Sequence, residues 1–157
     1  MDNKIKRPLV LKGILARLRA RAKKKIVFTN GVFDILHVGH VEYLKKARRL
    51  GDILVVGVNS DASTKRIKGP SRPVNRQTDR AKVLSALYFV DYVVIFGEDT
   101  PERLIKTLRP DVLVKGGDWA VKDIAGGDFV KSIGGKVKNI PFVKGYSTTS
   151  LLEKISR

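Results

Sequence analysis

Residues 26–59, IVFTNGVFDILHVGHVEYLKKARRLGDILVVGVN, constrain the fold more than any other stretch of this chain. Ile26, Val27, Phe28 and Thr29 are β-branched or aromatic, as in a strand, and Asn30-Gly31 follows, a dipeptide that readily takes positive φ. Val41, Leu44, Ala47 and Leu50 then recur at intervals of three, which predicts a helix over 41–50 with one apolar face. Gly51 supplies its stop. Residues 53–58 are a nearly unbroken apolar run, suited to a parallel strand covered on both faces. The order is strand, tight turn, helix, strand.

The turn carries the chemistry. His37 and His40, the only two histidines in the chain, lie three residues apart at the mouth of the helix, so they can converge on one ligand. The N–H groups of a helix's first turn lack internal partners and carry partial positive charge, which favours phosphate. Gly39 keeps side-chain bulk out of that approach. An imidazole donates a hydrogen bond to phosphate oxygen near neutral pH, and gains charge if the phosphate raises its pKa. These parts suit stabilisation of charge growing on a phosphoryl group. The rival readings are two histidines that merely fill space and a metal pair. For zinc there is no cysteine and no further histidine to complete a site.

With 157 residues the chain suits one domain, 1–157, with a real core, and is too short for two typical ones. Without cysteine it has no disulfide framework, thiol nucleophile or thiolate metal site, and a reducing cytoplasm is the expected location. No run is long enough to span a bilayer and the N-terminus carries no signal-peptide core, so no membrane partner is expected. Lysine and arginine total 32 against 15 acidic residues, a formal charge of +17. The basic residues are scattered, and the one tryptophan, four tyrosines and six phenylalanines lie mostly within apolar runs. That pattern argues for adventitious rather than specific nucleic-acid binding, and for a positive cleft that takes a small polyanion.

The remaining elements alternate. Residues 8–22 form an amphipathic helix with Leu11, Ile14, Leu15 and Leu18 on one face, packed on the sheet or on another subunit. Lys23-Lys24-Lys25 is a solvated connection. Residues 59–64 cap a short helix, and residues 65–73 read as a basic loop punctuated by Gly69, Pro70 and Pro73. That loop is either an exposed connection or, as its place just beyond the second strand favours, a flap whose Lys68 and Arg72 clamp phosphates. A helix follows over 78–89, with Arg80 in its first turn. The helix dipole does not help a cation there, so an anionic ligand, Asp79 or another carboxylate is its partner. Strands at 91–96 and 112–114 flank a helix that Glu98, Asp99 and Thr100 cap, with Pro101 in its first turn. Lys115-Gly116-Gly117-Asp118-Trp119 then emerges at a strand's carboxyl end, where open α/β sheets bind ligands. Asp118 and Trp119 there read or stack on a base, or Trp119 seals the loop. A weaker helix over 124–133 and a strand over 137–142 lead to Ser147, Thr148 and Thr149, which start a last helix able to hold a triphosphate. The alternation predicts one doubly wound parallel sheet. Neither a G-x-G-x-x-G fingerprint nor a P-loop is present.

Asn30-Gly31-Val32-Phe33-Asp34-Ile35-Leu36-His37-Val38-Gly39-His40 resembles the G-x-F-D-x-x-H-x-G-H signature of the cytidylyltransferase-like nucleotidyltransferases. Asn59 to Thr64, Lys68 to Pro73, Asp79-Arg80, Lys115 to Asp118 and Ser147 to Thr149 extend the resemblance, in order and spacing, to the bacterial heptose 1-phosphate adenylyltransferases over residues 26–155. The resemblance implies a Rossmann-like, five-stranded parallel sheet with helices on both faces. It implies transfer of AMP from ATP to D-glycero-β-D-manno-heptose 1-phosphate, giving ADP-heptose and pyrophosphate for lipopolysaccharide cores. Mg²⁺ would be held chiefly by the ATP phosphates. Many bacteria fuse this domain to a sugar kinase, and the chain resembles the stand-alone form; a homodimer is admitted by the resemblance alone. By the same resemblance His37 and His40 are catalytic. Thr29, Asn30, Gly31, Phe33, Arg80, Lys115, Gly117, Asp118, Ser147, Thr148 and Thr149 surround the nucleotide, and Asp61, Lys68 and Arg72 clamp substrate or phosphate. Cytidylyl-transferring relatives carry an arginine where this chain has Phe142, which turns the reading from CTP toward ATP. The alternatives are a same-fold enzyme acting on glycerol 3-phosphate, phosphoethanolamine or FMN, and a non-catalytic basic nucleic-acid-binding protein.

Overall fold

The computed structural model describes residues 2–157. A short 3₁₀ turn, Asp2–Lys4, precedes α1 (Pro8–Ala22), β1 (Ile26–Gly31), α2 (Val38–Arg48), β2 (Ile53–Asn59) and α3 (Asp61–Lys68). There follow α4 (Gln77–Ser85), β3 (Tyr92–Phe96), α5 (Glu102–Leu108), β4 (Val112–Gly116), α6 (Gly127–Ser132), β5 (Lys136–Ile140) and α7 (Thr148–Ile155). The five strands form one parallel sheet in the order β3-β2-β1-β4-β5, a Rossmann-like double winding with helices on both faces.

Successive strand residues point to opposite faces, so the continuous apolar runs feed two cores. On one face Val27, Leu54, Val56 and Val114 meet Leu44 and Ala47 of α2 and Ala81 and Leu84 of α4. On the other Phe28, Val55 and Leu113 meet Leu11 and Leu15 of α1, Leu104 and Ile105 of α5 and Val130 of α6. The N-terminal helix therefore packs within its own chain. Its Arg19 reaches across to the C-terminal end of α5 and donates to the carbonyls of Leu108 at 3.0 Å and Arg109 at 2.5 Å, groups a helix end leaves without partners. Among the described residues no helix is long and apolar enough to cross a membrane.

Several boundaries differ from the sequence reading, each for a local reason. The helix after β1 begins at Val38 rather than Val41, which places His37 in the N-cap position and His40 in the first turn. Residues 65–68, read as loop, belong to α3. Ser60 caps that helix, its Oγ accepting from the Ser63 N–H at 3.1 Å, and Gly69 at φ 103° ends it. The basic loop is thus confined to residues 69–76. Glu98 and Asp99 do not cap α5: they pair with Arg103 and Arg66, and Pro101 itself takes the N-cap position. The strand expected over 137–142 stops at Ile140, because Pro141 has no N–H to continue the ladder.

The sheet opens at its centre. β1 pairs with β2 up to Gly31↔Val58, and β4 with β5 up to Gly116↔Ile140. Between β1 and β4, however, the described pairs are Val27↔Val112 and Phe28↔Leu113 alone. Above them the strands part, and the resulting crevice at the carboxyl ends is the switch point where the strand order reverses.

Candidate nucleotide site

The crevice is furnished first by the turn after β1. Phe33 adopts the left-handed region at φ 48°, and its ring lies over Gly31, where a Cβ would come within 2.9 Å of it. The Phe33 ring in turn meets His40 edge-on, with centroids 5.2 Å apart. His37 and His40 stack, centroids 3.8 Å apart and planes inclined by 21°. Gly39 makes this stack possible: a Cβ there would lie 2.9 Å from Cε1 of His37 and 3.0 Å from Cβ of Tyr146. The glycine expected to clear a path for phosphate also clears the place of the imidazole. Tyr146 stacks loosely on His37 at 6.4 Å, which brings the start of α7 beside the histidine pair.

Both imidazoles are half-buried and neutral at physiological pH. Burial pushes His40 down to about 4, with the adjacent His37 ring contributing, and burial lowers His37 as well. The Nδ1 atoms of both rings are buried without a hydrogen-bond partner. A buried polar atom left unpaired costs stability, and the pattern is one that functional sites tolerate.

Around this pair the expected residues fall into two groups. Lys115, at the end of β4, is partly buried, and its ammonium pKa is lowered by burial and then by Lys68 at the end of α3. Two like charges therefore look onto the same space, an arrangement that an anion relieves. Lys115 Nζ also sits 5.6 Å from the Trp119 ring centroid, while Asn139 holds the Trp119 carbonyl at 2.6 Å. Gly117, at φ 99°, and Gly116 give room to the ring of Phe142, which is 68% exposed. Asp118 is exposed on the same loop. Ser147 caps α7, its Oγ accepting from the Ser150 N–H at 3.0 Å, and the N–H groups of Thr148 and Thr149 open that helix next to Tyr146. Asn30 and Gly31 lie half-buried at the crevice.

The second group does not reach the mouth as free side chains. Arg80 is 2% exposed and fully engaged: Nη1 donates to the Val32 carbonyl at 2.7 Å, Nε to that of Asn75 at 2.9 Å, and Nη2 to Asp61 Oδ1 at 2.9 Å. Its carboxylate partner is Asp61 rather than Asp79, and the pair ties the start of α3 to the start of α4. Asp61 also accepts from the Gln77 N–H. Arg72 is likewise bound, 2.7 Å from Asp34 Oδ2. Thr29 is wholly buried, its hydroxyl bonded to that of Tyr43.

Asp34 and Tyr43 are the residues that sequence reasoning gave no role. Asp34 is buried and accepts from the N–H groups of Val74 and Asn75 as well as from Arg72, while its carbonyl accepts from the Asn75 amide. Burial alone would raise its carboxyl, but the Asn75 and Val74 N–H groups and Arg72 outweigh that and hold it below the ordinary value. Asp34 thus clips the loop at 69–76 to the histidine turn. Its place in the G-x-F-D pattern was the available signal. Among the described residues no group of three or more histidine, aspartate or glutamate side chains converges where it could hold a metal ion.

Known proteins resemble this chain in sequence and in fold. The bifunctional protein HldE of Syntrophotalea carbinolica is 56% identical over 154 residues, covering 98% of this chain and 31% of that protein. The HldE of Campylobacter curvus is 60% identical over 138 residues, covering 88% and 29%. The chain therefore spans about a third of the length of the curated relatives it matches. The crystal structure of the lipopolysaccharide core biosynthesis protein from Thermoplasma volcanium superimposes with a TM-score of 0.62 at 32% identity, covering 79% of this chain and 99% of that one. Residues 28–154, from the first strand through the histidine turn to the last helix, match the cytidylyltransferase-like profile, and the chain belongs to the cytidylyltransferase-like family.

Proposed function

We propose that the chain transfers AMP from ATP to a heptose 1-phosphate, releasing pyrophosphate and giving ADP-heptose for lipopolysaccharide cores. The observation that carries this reading is the stacked His37–His40 pair at the first turn of α2, facing the crevice between β1 and β4. A triphosphate laid across the crevice meets the N–H donors of the neutral imidazoles and two sources of positive potential, the Lys68 and Lys115 ammonium groups and the N-terminus of α7. An anionic oxygen of the sugar phosphate attacks the α-phosphorus, a new P–O bond forms, and the bond to the bridging oxygen breaks as pyrophosphate departs. The attacking oxygen is already an anion, so no general base is required. Neutral His37 and His40 donate to the phosphate and become more basic as negative charge gathers there, so stabilisation grows toward the transition state. Holding the two phosphates in line supplies much of the remaining rate.

Among the described residues no carboxylate or histidine cluster is built to cage a metal, so Mg²⁺ would be held chiefly by the triphosphate that brings it. Its chemistry is neutralisation of the phosphate oxygens. Resemblance to the bifunctional HldE proteins and to the lipopolysaccharide core biosynthesis protein of Thermoplasma volcanium supports the sugar and pathway assignment.

The deciding experiment offers ATP or CTP, with Mg²⁺, to heptose 1-phosphate, glycerol 3-phosphate, phosphoethanolamine and FMN in turn, and measures pyrophosphate. Release with ATP and heptose 1-phosphate alone is the expected result. Turnover with CTP only rejects the assignment. Sequence-selective RNA binding that persists at high salt, with no pyrophosphate from any pair, would establish the nucleic-acid alternative instead.

A further inference from the structure

The crevice holds one polar group that the proposed reaction does not use. Tyr43 stands three residues after His40 on α2, is 6% exposed, and sends its hydroxyl into the gap where β1 and β4 part. That hydroxyl is bonded to Thr29 Oγ1 on β1 and lies 3.4 Å from the carbonyl of Val114 on β4. Thr29 is the residue directly after the last β1–β4 pair on its strand, and Val114 the residue directly after it on the other. On the β4 side the Tyr43 ring fits because Gly116 lacks a side chain: a Cβ there would lie 3.2 Å from Tyr43 Cε2. One phenol thus bridges both lips of the opening and joins them to the helix that carries the histidines.

We infer that Tyr43 is a positioning residue for the proposed transferase reaction, its hydroxyl fixing the height and rotation of the first turn of α2, and hence of His40, over the β1–β4 crevice. The inference rests on that reading for its catalytic consequence but not for its geometry. Residues three apart on a helix lie on one face, so a displacement at Tyr43 is carried to His40 within the same turn. Simple packing does not account for the hydroxyl, because phenylalanine beside valine would fill this space without burying two polar oxygens. Burial pushes the Tyr43 phenol far up, so the group keeps its proton, shares a hydrogen bond with the Thr29 hydroxyl and lies within donating distance of the Val114 carbonyl. Satisfied polar networks of this kind fix one arrangement where apolar contacts tolerate several.

The test uses Tyr43→Phe, Thr29→Val and their combination, with Val130→Ala on the opposite face of the sheet as a control for lost stability. The chain has two histidines, so an imidazole ¹⁵N–¹H spectrum contains two ring systems and reads their environment without any substrate. Each single substitution is expected to move the His40 resonances. The pair should move them no further than one alone, since both remove the same bond. Val130→Ala should leave them in place. In the pyrophosphate assay Tyr43→Phe should lower kcat about tenfold with the KM for ATP within about twofold, the signature of a misplaced reacting group rather than lost binding. Thr29→Ser, which keeps a hydroxyl, should recover most of what Thr29→Val loses. Should Tyr43→Phe not fold, the Thr29→Val and Thr29→Ser pair carries the same comparison. Unmoved His40 resonances, or moved resonances with unchanged kcat in an active enzyme, overturn the inference. If the wild-type chain releases no pyrophosphate from any pair, the transferase reading fails, and the spectra alone decide whether Tyr43 fixes His40.

Discussion

His40 carries two burdens that separate experimentally. As a donor to the reacting phosphate, its removal in His40→Ala should lower kcat by about 10²–10³, the scale for one transition-state donor. A raised KM for ATP with unchanged kcat would contradict that role. As a buried imidazole it also affects folding. Its pKa is about 4 in the folded chain, against roughly 6.5 when unfolded. Between those values the unfolded chain binds a proton that the folded one refuses, so stability rises with pH through the window. The contribution is complete above about pH 6.5 and is lost as pH falls toward 4, and His37 adds to it with the same sign. Urea midpoints should therefore drop between about pH 7 and pH 5, and His40→Gln should flatten that slope. An equal midpoint at both pH values would dismiss the buried-imidazole account. Asp34, held below the ordinary carboxyl value, acts in a separate and more acid window: its stabilisation is lost only as pH falls below the unfolded value of about 3.9. At this scale the histidines were legible because residue type and spacing announce them. Arg80 was half legible. Its awkward place in the first turn of α4 called for an anion, but a single sequence does not say that Asp61, 19 positions away, supplies it.

The histidine turn works as an element because its glycines leave room for side chains. A Cβ on Gly39 would meet Cε1 and Nδ1 of His37 at 2.9 and 3.0 Å and Tyr146 at 3.0 Å, all inside ordinary contact. Gly39→Ala should therefore leave the sheet intact, push His37 out of its stack with His40, and lower kcat by at least about tenfold. The measurement is the pyrophosphate rate beside the thermal midpoint. A large fall in midpoint with normal kcat in the folded fraction would show that the glycine serves folding alone. Strong periodicity and strand composition made α1, α2, β1 and β2 readable in the sequence. The error at α3 has a physical cause. Lys65, Arg66, Ile67 and Lys68 look like loop because glycine and proline follow so closely, yet the Ser60 cap and the Thr64 hydroxyl bonded to the Ser60 carbonyl extend the helix up to Gly69. The Asp34 clip on residues 69–76 was signalled by the aspartate's place in the G-x-F-D pattern alone, because its partners about 40 positions away include backbone N–H groups, which carry no sequence signature.

For the whole molecule, sheet and charge make opposing demands. The double winding was legible from alternation, whereas the parting of β1 and β4 was not, since it depends on which backbone groups find partners across the sheet. A formal charge of +17 on 157 residues repels itself in the compact state and also attracts polyanions, and at Lys115 the charge of Lys68 adds to that repulsion. Salt weakens both effects, shortening the screening length from about 10 Å at 0.1 M to about 3 Å at 1 M. One charge distribution therefore predicts two opposite responses. Raising NaCl from about 0.05 M to about 0.5 M should raise the thermal midpoint of the ligand-free chain, because self-repulsion is relieved. Over the same range it should raise the KM for ATP, because attraction of the triphosphate is screened too, while kcat changes little once the nucleotide is bound. The stabilising effect of ATP on the thermal midpoint should shrink in parallel, since it follows occupancy. A midpoint that falls with salt would mean that specific ion pairs outweigh the net charge. An unchanged KM would mean that the basic residues lie outside the path and reach of the nucleotide.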